Sequence, residues 1–172
     1  MVSVDVTRYE TLPSALAGAD AVVVAVGTTD FANPLGPFQT EYLGTKNIIA
    51  AAKQAGVQNV VLVTSMGADD LLYPLNLAWG VLFWKQQAEG ELQRSGLRHC
   101  VVRPGGLSND AIDAPLEFLP RGSTPGGRVS RANVAKVVCA ALTNPDADGK
   151  VVEVVQRAGA PARDLRALFA GA

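Results

Sequence analysis

Two stretches of this chain are apolar without interruption, and they decide what it can fold into. Residues 21–27 read AVVVAVG and residues 59–65 read NVVLVTS. A strand with one face in water alternates apolar and polar side chains, whereas a strand covered on both faces has no need to. Both runs therefore predict interior strands of a parallel sheet with helices on its two faces. RHCVVRPGG (98–106) and KVVEVV (150–155) repeat the pattern more weakly.

Helical periods fill the intervals. In FQTEYLGTKNIIAAAKQAG (38–56), Phe38, Tyr42, Thr45, Ile49 and Ala52 follow a 4-3-4-3 spacing, and Gly56 is placed to end the helix. FWKQQAEGELQRSG (83–96) closes in the same way at Gly96. In SRANVAKVVCAALTN (130–144), Ser130 is a cap residue, and Val134, Val137, Val138 and Ala141 form one stripe. At the start, Val2 and Val4 alternate with Ser3 and Asp5, which predicts a short strand ending in an acid, then a turn at Thr7. Residues 108–128, rich in Pro and Gly, are expected to be irregular. Strands alternating with helices through short loops predict a doubly wound α/β domain. At 172 residues there is length for one such domain and hardly for two.

Composition removes several function classes. Lys and Arg number 15 against 16 Asp and Glu, so no basic excess favours nucleic acid. Cys100 and Cys139 lack the close spacing of a zinc or redox pair and are expected to be buried small apolar residues. His99 precedes a core strand and is expected to be structural. Residues 71–84 (LLYPLNLAWGVLFW) carry no charge. That run is shorter than the roughly 20 residues a spanning helix needs, and Pro74, Asn76 and Gly80 break it. It predicts either a partner or membrane-surface contact or an ordinary core helix with a covered loop.

Ligands of open parallel sheets bind at the carboxyl ends of the strands. Those ends are Asp5; Ala25, Val26, Gly27 and Thr28; Thr64, Ser65, Met66 and Gly67; and Arg103, Pro104, Gly105 and Gly106. Small and hydroxyl residues there suit a flat ligand across the sheet edge.

Three segments in series, residues 42–68, 83–107 and 128–138, resemble the atypical short-chain dehydrogenase/reductase family. The likeness is to its NmrA-like, plastid and cyanobacterial NAD(P)-binding branch, and residues 151–170 resemble the C-terminus of one subgroup. The resemblance implies a Rossmann-type sheet in which Asp5 contacts adenine with Val6 beside it, and the Ala25-Val26-Gly27 turn passes beneath the adenosine. It implies that Ser65 orients a substrate carbonyl, that Lys85 binds the nicotinamide ribose, and that the Arg103-Pro104-Gly105-Gly106 turn approaches the nicotinamide. The family's Tyr lies four residues before the Lys, and here that position is Val81, which has no proton to donate. Tyr73 would need an unusual loop to reach the site.

The resemblance also implies two strands and a glycine-rich phosphate loop before residue 1. No such motif follows a strand in this sequence, and GSTPGG (122–127) lies in the irregular stretch. The expected fold is therefore a Rossmann-type sheet lacking its first two strands, with residues 21–26 as an open apolar edge awaiting an N-terminal segment or a protein partner. Two functions follow: an NADP- or NAD-binding protein, weak or inactive as an oxidoreductase, or a scaffold subunit that keeps the fold without cofactor. By resemblance its setting is the plastid stroma or membrane surface, or a bacterial cytoplasm.

Overall fold

Strand β1 (Ala21–Val24) leads through a π-helical turn at Phe38–Gly44 into helix α2 (Thr45–Gln54), after a short helix α1 (Leu12–Leu16). Strand β2 (Asn59–Val63) precedes helix α3 (Val81–Gln93), and β3 (Arg98–Pro104) is followed by the short β4 (Gly106–Ser108), β5 (Leu116–Leu119) and β6 (Arg128–Ser130). Helix α4 (Arg131–Thr143), β7 (Lys150–Gln156) and α5 (Leu165–Ala170) complete the chain. The structure is a computed structural model and describes residues 3–30, 32–123 and 126–172. Its sheet runs β1-β2-β3-β7-β6-β4, with β5 also on β7. The β1-β2, β2-β3 and β3-β7 pairs are parallel.

Period-two packing on β2 explains the double winding. Val60 and Leu62 face α1, α2 and α3 in a core with Leu12, Ile48, Ile49 and Leu92. Val61 faces the opposite way, toward α4 and α5, with Val102, Val137, Val154 and Phe169. Both faces of β2 are buried, as its unbroken apolar sequence predicts. Helix α4 is capped by Ser130, whose Oγ accepts from the Asn133 amide at 3.2 Å, and its stripe of Val134, Val137, Val138 and Ala141 is buried. Gly56 follows α2 with φ +75°, the left-handed geometry that ends the helix.

Four expectations are corrected. Ser3–Asp5 is not a strand; Val2 lies outside the described residues. Asp5 Oδ1 accepts from the Thr7 amide (2.9 Å) and hydroxyl (2.7 Å), a local turn that satisfies the backbone without a ladder. β1 is not buried on both faces: Val24 is covered, but Val23 is 44% exposed, because β2 is its only partner among the described residues. Residues 108–128 are not wholly irregular, since β5 pairs antiparallel with β7 and Phe118 stacks edge-on against Phe169. Cys139 is exposed on α4, while Cys100 is buried in the core and its thiol is pushed up to about 12 by burial.

Residues 71–84 divide. Val81, Leu82 and Trp84 belong to α3, with Trp84 edge-on to Phe38 at 4.9 Å. Leu71, Leu72, Leu75, Leu77 and Trp79 are exposed, so the covered-loop alternative fails for them. Among the described residues no helix is long and apolar enough to cross a membrane.

Candidate functional site at the strand ends

The carboxyl ends of β2 and β3 converge on a cleft of about 370 Å³. Thr64, Ser65, Pro104, Gly105 and Gly106 line it, as the strand-end rule predicts, together with Met66, Tyr73, Leu75 and Leu107. The Ser65 hydroxyl donates to the Met66 carbonyl at 3.0 Å, and the Met66 amide donates to the Pro104 carbonyl at 3.0 Å, which locks the two strand ends together. At Gly105 a Cβ would lie 2.8 Å from the Gly127 carbonyl oxygen and 3.0 Å from Val155, so only glycine fits between those chains.

Tyr73 reaches the cleft through the loop that sequence reasoning discounted. A 3₁₀ turn at Pro74–Leu77 is followed by Trp79 and Gly80, both left-handed at φ 56° and 69°. For Trp79 that geometry costs roughly 1–2 kcal/mol. Asn76 holds the turn: its Oδ1 accepts from the Leu82 (3.1 Å) and Phe83 (3.0 Å) amides, while its Nδ2 donates to the Asp70 (3.1 Å) and Leu71 (3.3 Å) carbonyls. One side chain thus caps α3 and fastens the segment that carries Tyr73. Substituting Asn76 by Ala is expected to cost about 1–2 kcal/mol, the scale of a lost helix cap, and to speed amide exchange at Leu82 and Phe83. Unchanged exchange there would show that the cap is not needed.

Lys85 and the β1 end form a second group. Lys85 Nζ donates to Glu41 Oε2 at 2.6 Å, and Glu41 Oε1 accepts from the Thr28 amide at 2.8 Å. Glu41 is 3% exposed and approaches Gly27 closely enough that a Cβ there would lie 3.6 Å from Oε1. Ala25 and Gly27 are exposed and Val26 is half-buried beside this pair. Asp5 and Val6 are not part of the cleft lining; Val6 packs on Gly44 and its carbonyl accepts from Asn47 Nδ2 at 3.0 Å. Val81 is buried at the first turn of α3.

Arg103 is completely buried, so its side chain is closed to a ligand, and its backbone belongs to the end of β3. Its guanidinium bonds Glu89 through Nε (3.0 Å) and Nη2 (2.6 Å), Asp69 through Nη1 (2.5 Å) and Glu153 through Nη1 (3.2 Å). Arg121 adds a second fork onto Asp69, at 3.1 and 3.0 Å, and the Thr64 hydroxyl donates to Glu89 at 2.6 Å. Burial opposes the charge on Arg103, but the hydrogen bonds to Asp69 and Glu89 outweigh it and raise its pKa. The same pair of arginines holds the Asp69 carboxyl well below its usual range, despite partial burial. Sequence reasoning passed over Glu41, Asp69, Glu89 and Glu153. The signal for Glu153 was a single carboxylate inside the otherwise apolar KVVEVV run.

For a nicotinamide dinucleotide the donor set fits in part. The neutral, flat strand ends suit adenosine and nicotinamide. Lys85 is committed to Glu41 and Arg103 to three carboxylates, while the exposed Arg128 passes beside Gly106.

The NAD(P)H-binding family model matches residues 1–145. Protein TIC 62, chloroplastic, of Arabidopsis thaliana is 35% identical over 98% of this chain, which spans only 28% of that protein. Sanguinarine reductase of Eschscholzia californica is 34% identical over 77% of the chain and 52% of its own length. Among solved structures, a protein of Bacillus halodurans assigned as an NAD-dependent epimerase/dehydratase superposes with a TM-score of 0.86 at 26% identity, covering 99% of this chain and 77% of that one. The chain spans well under two thirds of both curated relatives. With its parallel-dominant, doubly wound sheet and its strand-end cleft, the chain belongs to the NAD(P)H-binding family of Rossmann-type domains, among the homologues of TIC 62 and the atypical short-chain dehydrogenase/reductases.

Proposed function

We propose that this domain binds NADP(H) along the carboxyl ends of β1, β2 and β3 and is weak or inactive as an oxidoreductase. The observation that supports it is the cleft that joins Ser65 to the Pro104-Gly105-Gly106 turn, next to the neutral β1 end. In this reading Ala25, Val26 and Gly27 pass beneath the adenosine, with Asp5 and Val6 toward the adenine. Thr64, Ser65, Arg103 (through its backbone), Pro104, Gly105 and Gly106 flank the nicotinamide. Lys85, with Glu41 beside it, offers its remaining N–H groups to the ribose. The bound cofactor would supply a hydride; the protein's residues supply orientation. Val81 in place of a Tyr removes the usual proton donor of the family and supports low turnover.

Residues 1–172 alone are expected to bind NADPH more weakly than micromolar. Lys85 and Arg103 are both neutralised by carboxylates, so the pyrophosphate lacks charge-assisted hydrogen bonds worth about 1.5–3 kcal/mol each. Calorimetric titration checks this, and a micromolar Kd for residues 1–172 would sink it. A phosphate cradle is proposed to come from a segment or protein partner adding along the free edge of β1.

A second reading is a scaffold or assembly subunit without cofactor, favoured by the exposed Leu71, Leu72, Leu75, Leu77 and Trp79 as a partner or membrane-surface contact. Failure of a longer version of the chain to bind any nicotinamide dinucleotide would favour it. The setting we infer from the chloroplastic relatives is the plastid, in the stroma or at a membrane surface; a bacterial cytoplasm is the alternative.

A further inference from the structure

We propose that Glu41 is a specificity-determining residue: it reserves the Lys85 ammonium for an uncharged hydroxyl ligand, such as a sugar diol, and shuts out phosphate. The proposal rests on the dinucleotide reading only for the sugar; the exclusion of phosphate stands on the pair itself.

Glu41 is the one acid between Asp30 and Asp69, and it is buried, where a carboxylate seldom lies unless paired. Its Oε2 accepts from Lys85 Nζ at 2.6 Å and its Oε1 from the Thr28 amide at 2.8 Å, so one carboxylate ties α3 to the end of β1. The turn that carries it is held on several sides. Phe38–Gly44 is π-helical, a rare geometry that is frequent at functional sites. Gly44 lets that turn lie against Val6, since a Cβ there would be 2.7 Å from Val6 Cγ2. Phe38 and Tyr42, on either side of Glu41, pack on Trp84 beside Lys85, with ring centroids 4.9 and 5.9 Å away. Acid and ammonium are thus placed before a ligand arrives.

The charge balance decides the ligand class. The Lys85 side chain is 15% exposed and makes no other bond among the described residues, so two of its three N–H groups remain for a ligand. A phosphate bonding one of them meets the Glu41 carboxylate just behind the nitrogen. At that range repulsion by the carboxylate offsets most of the attraction by the ammonium. A neutral hydroxyl accepts the same N–H without that repulsion.

Inorganic phosphate and reduced nicotinamide riboside, an uncharged nucleoside, are the probes, added separately to the intact chain. NMR follows the Lys85 ammonium and the Thr28 amide. In the wild type, phosphate through the millimolar range is expected to leave both unshifted. Glu41→Gln keeps the side chain's size and an acceptor for Thr28. It is expected to bind phosphate at Lys85 at least tenfold tighter than any wild-type binding, with an affinity that falls steeply as salt rises. Glu41→Asp keeps the charge and is expected to exclude phosphate as the wild type does. Phosphate shifting the Lys85 ammonium in the wild type, no gain in Glu41→Gln, or phosphate admitted by Glu41→Asp would each overturn the proposal. The first of these needs no variant to fold. The nucleoside tests the dinucleotide reading separately: shifts at Lys85 and Ser65 in the wild type support it. Failure to bind strikes that reading and with it the sugar, while the phosphate titrations still decide what Glu41 excludes.

Discussion

Arg103→Met is expected to destabilise the fold by about 3–5 kcal/mol, the cost of removing one partner from a buried ionic cluster. Methionine fills much of the same volume, so little of that loss arises from a cavity. It arises because Glu89 and Glu153, both within the interior, lose the guanidinium that bonds them. One oxygen of Glu153, Oε2, already has no hydrogen-bond partner among the described residues, and the Gly122 amide at 3.0 Å would be the remaining donor to Oε1 there. Five segments meet at this cluster: the loop after β2 through Asp69, α3 through Glu89, β3 through Arg103, β7 through Glu153 and the Arg121-Gly122 turn. Losing its centre therefore loosens both walls of the cleft. Urea unfolding measures the effect, and a loss below about 1 kcal/mol would show that water or protonation compensates for the missing charge.

The cluster also sets an acid limit. Asp69 has a folded pKa far below its unfolded one, held down by hydrogen bonds from Arg103 and Arg121. A depressed carboxylate contributes stability above its unfolded pKa, near 3.9, and that contribution fades as pH falls from there toward the folded value. Wild-type stability should therefore drop as pH falls below about 4, and Arg103→Met should show a shallower slope in that window. Equal slopes would mean that Arg121 alone sets the Asp69 carboxyl.

How much of this was legible follows from which forces were local. β2 announces itself because burial on two faces favours an unbroken apolar run, β3 and β7 show the pattern more weakly, and α4 is legible because Ser130 and its stripe satisfy cap and core within fifteen residues. Ser65 and Gly105 could be picked out because parallel sheets place strand ends on one side. Tyr73 could not, since its position depends on Asn76 reaching from a 3₁₀ turn to both Asp70 and Phe83, and on a left-handed tryptophan that no pattern suggests. Arg103 looked like a turn residue because its three carboxylates come from positions 69, 89 and 153, far apart in sequence. The short strand expected at the start is not seen at Ser3–Asp5 for the opposite reason: Asp5 and Thr7 found a closer solution than a ladder. β5 was missed because its register is set by β7, nearly forty residues on.

Residues 1–172 are expected to self-associate through β1, and Val23→Lys is expected to return them to monomers. β1 pairs only with β2 among the described residues, so its outer N–H and C=O groups face away from the sheet. Val23 is 44% exposed, and beyond it an apolar groove of about 490 Å³ runs between β1 and α4, with Ala25, Val63, Val134 and Val138 along it. Covering such surface is worth about 25 cal/mol per Å², and strand pairing adds hydrogen bonds that neither copy makes alone. A lysine at Val23 puts a charge on the pairing face, a device by which natural edges resist addition. Because Val23 lies outside the core, the variant should keep its unfolding midpoint. Light scattering across a dilution series reads the association, and amide exchange at those amides of Ala21–Val24 that point away from β2 reads the pairing: slow when concentrated, fast when dilute, fast throughout in Val23→Lys. Thiol labelling of Cys139, exposed on the groove wall, should slow on association in the wild type and stay constant in the variant. A monodisperse monomer whose outward-facing β1 amides are protected at every dilution would mean that the sheet closes its own edge, and neither an added segment nor a partner would then be needed there.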